Sequence, residues 1–289
     1  MDGADCPDPT ALDRALAHLE AHLFAPLSVG ELAEAAGLSP YHFSRVFSAR
    51  FGVSVMAHVR ARRMQLASLR LSGRDPPTLF DLAFDCGFDS IEGFTRAFKR
   101  SFGVSPGRYR RHHSGRNPMD APLAKGFASK IDLGPTEGPA RKPPMRLAGL
   151  SGVFTDDNKH EIPRLWAQLV PRLPAPGQAS GETFGMACAS DVAEGFSYMA
   201  AIRLRDDAPC PPGMELKELP AQSYLTFRLT VDGGPLHPQM QAAMREIWGE
   251  RLPASGLVLA QVPDLEYYPE NFEPGRAGAT VEFWIPVES

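Results

Sequence analysis

Two arginines of this chain recur in one frame. Arg45 lies in Phe43-x-Arg45-x-Phe47, and Arg96 lies in Phe94-x-Arg96-x-Phe98. A guanidinium is a rigid fork of donors that meets the O6 and N7 acceptors of guanine as a bidentate pair. Phenylalanines four residues apart share one face of a helix and read as core, which leaves each arginine on the outer face. Other chemistries find little support. The four cysteines (Cys6, Cys86, Cys188, Cys210) form no CxxC and no Cys/His set at metal-ligand spacing. His160 and His237 stand alone at helix starts, and neither GxSxG nor HExxH occurs. No catalytic residue, metal or cofactor is assigned, and the chain reads as a non-enzyme.

The elements that must hold those arginines form an internal repeat. Leu32-Ala33-x3-Gly37-Leu38-Ser39 precedes the first motif, and Phe51-Gly52-Val53-Ser54 follows it. Leu82-Ala83-x3-Gly87-Phe88-Asp89 and Phe102-Gly103-Val104-Ser105 frame the second in the same way. Each copy reads as a short helix, a tight glycine turn, a capping residue and a second helix, which is helix-turn-helix grammar. Capping residues Thr10, Ser28, Ser39, Ser54, Thr78 and Ser90 predict six helices and Pro106 opens a seventh to about residue 112, with Ser28 and Glu31 as a capping box. A long helix over 55–71 joins the two copies.

The formal net charge of −4 conceals an asymmetry. Residues 1–116 carry fifteen basic and twelve acidic side chains, a balance of +3, while residues 117–289 carry fifteen and twenty-two, a balance of −7. Residues 40–116 alone hold fourteen basic and five acidic groups. Such a split suits a polyanion-binding module joined to a module with a different task. No run of about 18 apolar residues is present, which excludes a membrane-spanning helix. The acidic start Met1-Asp2-Gly3-Ala4-Asp5 lacks the apolar core of a secretory signal, so a reduced, cytoplasmic setting is expected.

Prolines at 118, 122, 135, 139, 143 and 144 mark linker composition across 114–144. A first strand is expected over 127–133. The remainder reads as a doubled strand-helix-strand-strand unit. The first copy takes strands 147–154, 184–189 and 197–204 with helix 162–173; the second takes strands 224–231, 257–262 and 280–286 with helix 238–251. A short strand over 215–219 joins them. The predicted fold class is therefore multidomain: an all-α double helix-turn-helix domain (1–113), a linker (114–126), and an α+β domain with an antiparallel sheet (127–289).

The first part resembles the DNA-binding region of AraC/XylS transcription regulators over about residues 10–112. The resemblance rests on the two repeats and on Arg63-Met64 leading into Leu66-Ala67. It rests most on the run from Ala83 through Gly103-Val104-Ser105-Pro106-x3-Tyr109-Arg110. The second part resembles the GyrI-like effector-binding domain through Leu147-Ala148-Gly149-Leu150, Ile162-Pro163-x-Leu165-Trp166, Asp264-Leu265-Glu266-Tyr267-Tyr268 and Phe283-Trp284-Ile285-Pro286-Val287.

The first resemblance implies recognition helices in successive major-groove segments of double-stranded promoter DNA. Their outer faces near the N-termini are Pro40, Tyr41, His42, Ser44 and Arg45, then Ser90, Ile91, Glu92, Thr95 and Arg96. Glu92 either accepts from cytosine or completes a cap begun at Asp89. Arg50, Arg60, Arg62, Lys99, Arg100, Arg108, Arg110 and Arg111 face phosphate, and Arg63 either joins them or pairs internally with an acidic residue. Cys86 reads as buried packing. The second resemblance implies Glu266 as an acidic centre inside an aromatic pocket for a lipophilic or cationic effector. Its candidate walls are Trp166, Tyr198, Trp248 and Tyr268, with Met186 as an adaptable filler. Implied partners are DNA, a small effector and RNA polymerase, with no membrane; monomer and homodimer both fit. A hydrolase acting on reactive small molecules and a regulator controlled by a protein partner are the competing readings.

Overall fold

The computed structural model describes residues 10–73, 75–113, 131–155, 158–190 and 195–288. The chain divides into two compact units, 1–126 and 127–289, each taken by itself below. The expected linker 114–126 and the first part of the expected strand 127–133 lie outside the described residues; Asp132–Leu133 form a short strand.

The first unit is helical because its capping residues stop and start the chain at short intervals. Its helices are α1 (Ala11–Ala21), α2 (Val29–Ala36), α3 (Pro40–Phe51), α4 (Val55–Leu71), α5 (Leu79–Asp85), α6 (Ile91–Phe102) and α7 (Pro106–His113). Thr10 with Asp13 and Ser28 with Glu31 form reciprocal capping boxes. Ser39, Ser54, Thr78 and Ser90 each accept a bond from the backbone N–H three residues on. Gly37 and Gly87 occupy the two tight turns at φ 72° and 79°, a region that an L side chain enters only at a cost.

Two buried clusters repeat the sequence repeat. Leu32, Ala33, Ala36, Phe43 and Phe47 form one, and Leu82, Ala83, Cys86, Phe94 and Phe98 form the other. Helix α4 serves both, giving Val55 and Val59 to the first and Met64, Ala67 and Leu71 to the second. All four phenylalanines are 0% exposed. Each such ring contributes about 1.5–3 kcal/mol by leaving water.

The second unit is one antiparallel sheet with helices. Its strands are β1 (Asp132–Leu133), β2 (Glu137–Lys142), β3 (Met145–Phe154), β4 (Gln178–Ala189), β5 (Phe196–Leu204), β6 (Glu215–Leu219), β7 (Gln222–Thr230), β8 (Asp264–Tyr268) and β9 (Thr280–Val287). The order is β1-β7-β9-β8-β4-β5-β3-β6, and β2 also pairs with β7. Helix α8 (Pro163–Leu169) packs on β3 and β5. Helix α9 (Leu236–Glu246) continues through a π turn (Ile247–Arg251) into α10 (Leu252–Ser255).

The order is symmetric about the β4–β8 seam: β4-β5-β3 on one side mirrors β8-β9-β7 on the other. Each half is a strand, a helix and two strands. Only residues 220–221 separate β6 from β7, although the two strands lie toward opposite ends of the hydrogen-bond order. Leu219 and Tyr224 accordingly share one buried cluster, so the sheet is curled.

Three expectations change. The strand expected over 257–262 is absent, and only Leu259 makes an isolated bridge, to Val287. The strand lies at 264–268, where it is central and charged residues alternate with apolar and aromatic ones; that polarity disguised it. Glu137–Lys142, expected as linker, is a largely exposed edge strand. The helix expected over 238–251 carries a π turn at its end.

Candidate functional site

The first candidate surface is the outer side of α3 and α6. On α6 the phenylalanines Phe94 and Phe98 face inward, while Ser90, Ile91, Glu92, Arg96, Lys99 and Arg100 are exposed and Thr95 is half-buried. Ser90 is the helix cap and bonds Gly93 N–H at 3.1 Å. Position N3 is therefore glycine, and Glu92 completes no cap. The capping alternative for Glu92 is thereby corrected.

Helix α3 differs. Pro40 and Arg50 are exposed and Ser44 and Arg45 half-buried, but Tyr41 is 8% and His42 2% exposed. Neither ring stands out as a base-reaching group in this structure, because both are packed away from solvent. The Arg45 guanidinium lies 5.3 Å from the Tyr41 ring centre. Burial, and then the neighbouring Arg45 charge, lower the His42 pKa to about 4, so this ring is neutral at pH 7.

The phosphate-facing set also divides. Arg50, Arg60, Lys99, Arg100, Arg108 and Arg111 are exposed. Arg62 pairs with Glu20 at 2.7 Å, and Arg110 donates to the Pro77 carbonyl at 3.0 Å. Arg63 is internal, although its partners are carbonyls and not an acid: Nε donates to Leu23 O at 2.6 Å and Nη2 to Ala25 O at 2.8 Å. A methyl group on Gly87 would meet Arg63 Nη1 at 2.8 Å. One side chain therefore joins the loop after α1 to the turn of the second repeat. Arg14 does a matching job in the first repeat, donating to Ala36 O at 2.9 Å just before Gly37.

The second candidate site lies at the β4–β8 seam. Glu266 of β8 stands opposite Gly185 of β4. Its Oε2 accepts from Tyr198 Oη at 2.7 Å and from Tyr268 Oη at 2.9 Å. The Trp166 indole of α8 donates to Tyr198 Oη at 3.1 Å and sits edge-on to Tyr268, centres 5.1 Å apart. A β-carbon on Gly185 would collide with Tyr198 Oη and Glu266 Oε2, so glycine makes the room that the carboxylate occupies. Phe154 at the end of β3 and Phe272 beyond β8 add edges to Tyr198 and Tyr268.

Four residues expected from the sequence are thus brought together: Glu266, Trp166, Tyr198 and Tyr268. Met186 is not. It pairs with Leu265, one step out of phase with Gly185 and Glu266, and is buried on the opposite face of the sheet. Trp248 is a fully buried side chain of the π turn. Gly185, Phe154 and Phe272 went unseen in the sequence, where a glycine inside a strand pattern was the one available signal for close approach.

The electrostatics follow from burial. Tyr198 and Tyr268 are 3% and 7% exposed, and their pKa values are raised well above 10, first by desolvation and then by the Glu266 charge. Both phenols stay protonated and remain donors. A carboxylate fixed by two phenols and rimmed by rings favours a cation with apolar substituents.

These features define a class: a double helix-turn-helix unit joined in one chain to a doubled antiparallel α+β unit with the Glu266 carboxylate held between two phenols at its seam. Residues 140–288, just over half the chain, match the family described as GyrI-like small molecule binding domain, and residues 32–112 match the helix-turn-helix domain family. The chain belongs to the GyrI-like family and carries an AraC-type helix-turn-helix domain. The right origin-binding protein of Escherichia coli (strain K12) is 42% identical over 95 residues, covering 32% of this chain and 32% of that protein. The multiple antibiotic resistance protein MarA of Salmonella typhimurium is 34% identical over 103 residues, covering 36% of this chain and 80% of that protein. The chain spans about a third of the length of the first curated relatives it matches. The solved structure of SAV2435 bound to tetraphenylphosphonium overlaps 56% of this chain and 95% of that chain, at 16% identity and a TM-score of 0.44. No helix among the described residues is long and apolar enough to cross a membrane.

Proposed function

We propose that this protein is a sequence-specific DNA-binding transcription regulator controlled by a small lipophilic cation. Residues 1–113 act as the reader, 127–289 as the effector domain, and 114–126 as their connection. The reading is carried by the chemical division between the units. One turns guanidinium and ammonium groups outward from α6; the other turns a single carboxylate inward between two phenols.

Arg96 and Glu92 suit direct base reading, with Arg45 as the equivalent group of the first repeat. Lys99, Arg100 and Arg50 suit phosphate, where each contact releases counterions and makes affinity fall with salt. In the effector domain Glu266 supplies charge, Trp166 and Tyr268 supply ring surface, and Tyr198 fixes the carboxylate. Binding there alters DNA affinity only if the cation discriminates between two states of the chain, which typically gives a 5–150-fold coupling. The raised phenol pKa values keep Tyr198 and Tyr268 protonated, as donors to the Glu266 carboxylate.

Titration with benzyltributylammonium, followed by calorimetry, tests the effector site. Glu266→Gln is expected to weaken binding by about tenfold or more, equivalent to at least 1.4 kcal/mol. Equal affinity in the variant, or turnover of the compound, would defeat the reading. Retardation of DNA from upstream of the gene, with and without the cation, tests the coupling.

A further inference from the structure

The seam carboxylate uses one face of the curled sheet. The other face carries a separate groove of about 350 Å³, whose lining includes Lys142, Glu182, Arg203, Tyr267, Glu282 and Trp284. Strand alternation separates the two sites. Glu266 and Tyr268 point to one face, while Leu265 and Tyr267 point to the other, with Trp284 paired to Leu265.

The groove has an aromatic floor and cations without carboxylate partners. Tyr267 and Trp284 are stacked, with centres 5.1 Å apart and planes at 11°. Lys142 Nζ sits 4.2 Å from the Trp284 ring centre, on a π face and not on an acid. Arg203 is half-buried, and among the described residues neither Lys142 nor Arg203 enters an ion pair. Glu282 is already spent: one oxygen holds Trp284 Nε1 at 2.8 Å and the other pairs with Arg228 at 2.8 Å. Glu182 and Glu282 formally balance Lys142 and Arg203, and Arg228 is shared between Glu282 and Glu137 at 3.2 Å, so what marks the groove is the absence of a carboxylate on either lining cation and not its net charge. A half-buried guanidinium and a lysine parked on a ring are groups that a carboxylate would satisfy better than the present surroundings do.

We propose that this groove is a second ligand site, specific for a flat aromatic carboxylate. The ring lies against Tyr267 and Trp284, and the carboxylate draws Lys142 off the indole to share it with Arg203. The two faces of one sheet then select opposite charges: cations at Glu266, aromatic acids at Lys142 and Arg203. This site stands independently of the effector reading, because no residue is common to both.

The full chain titrated with 2-naphthoate, read by the anisotropy of the naphthyl ring, tests the proposal. Saturable binding is expected, weakened at least tenfold by the Lys142→Gln/Arg203→Gln double variant and unchanged by Glu266→Gln. Trp284→Phe should keep binding but lose the quenching of tryptophan emission. The matching cation, 2-naphthyltrimethylammonium, should not compete. A circular dichroism spectrum and thermal midpoint matching those of the unsubstituted chain confirm that the double variant is folded. Absence of saturable binding, equal affinity in the double variant, or loss of binding in Glu266→Gln would each overturn the second site.

Discussion

The two helix-turn-helix repeats share a skeleton and differ in skin. Both place two phenylalanines at 0% exposure, both turn on a left-handed glycine, and both cap the second helix with serine. Yet α6 sets out Glu92, Arg96, Lys99 and Arg100 in solvent, whereas the first turn of α3 buries Tyr41 and His42. The two repeats share what holds the second helix in place and differ in its outer face. The second repeat is the better-presented reader in this structure, and the first has the more pH-sensitive packing.

The comparison can be broken at the core first. Phe43→Ala and Phe94→Ala should each destabilise the first unit by about 3–5 kcal/mol, measured by denaturant unfolding. A large inequality between them would end the claim of equivalent skeletons. Next comes acid. The His42 pKa is lowered from 6.5 to about 4, so the unfolded chain binds the proton more readily. Its contribution is complete above about pH 6.5 and is lost as pH falls toward 4, an effect of order 2–3 kcal/mol. Thermal midpoints between pH 7 and pH 4 should show that loss, and His42→Gln should reduce it. No second-repeat residue in the equivalent turn should behave this way.

Smaller effects sharpen the surfaces. Arg96→Ala should cost about 1–3 kcal/mol of discrimination at one base pair, read by binding to a set of singly substituted sites. Arg45→Ala should cost less, since its guanidinium is half-buried against Tyr41. A larger loss from Arg45 would reverse the ranking of the repeats. Lys99→Ala and Arg100→Ala should weaken binding to all sequences alike and each lower the salt slope by about 0.9.

The helical unit was the more legible of the two because its signals are local. A cap and its N3 partner lie three residues apart, and Phe43 and Phe47 share a face through helical spacing alone. In the sheet, β3, β5, β6, β7 and β9 and the second half of β4 were legible, while β8 and the edge strand β2 were not. Strand β8 escaped because Asp264 and Glu266 look like loop residues until the pairing of β4 with β8 gives each a neighbour. Met186 was misplaced for a related reason: its chemistry suits a pocket, but one residue of register puts it on the other face. For Arg63 the sequence left phosphate contact and internal pairing both open, and its carbonyl partners, 40 and 38 residues away, decide for the internal role.

The sequence by itself determined the seven helices, their caps, the twofold repeat and the location of basic charge, all consequences of interactions within about one helical turn. It also supplied a carboxylate and rings suited to a cation. Only the tertiary structure decided that Tyr198, 68 residues from Glu266, donates to it, that Gly185 leaves the space, and that Tyr267 and Trp284 face the opposite way. Register between distant strands assigns each side chain to a face. That register is fixed by burial of the whole sheet, which no short stretch of sequence contains.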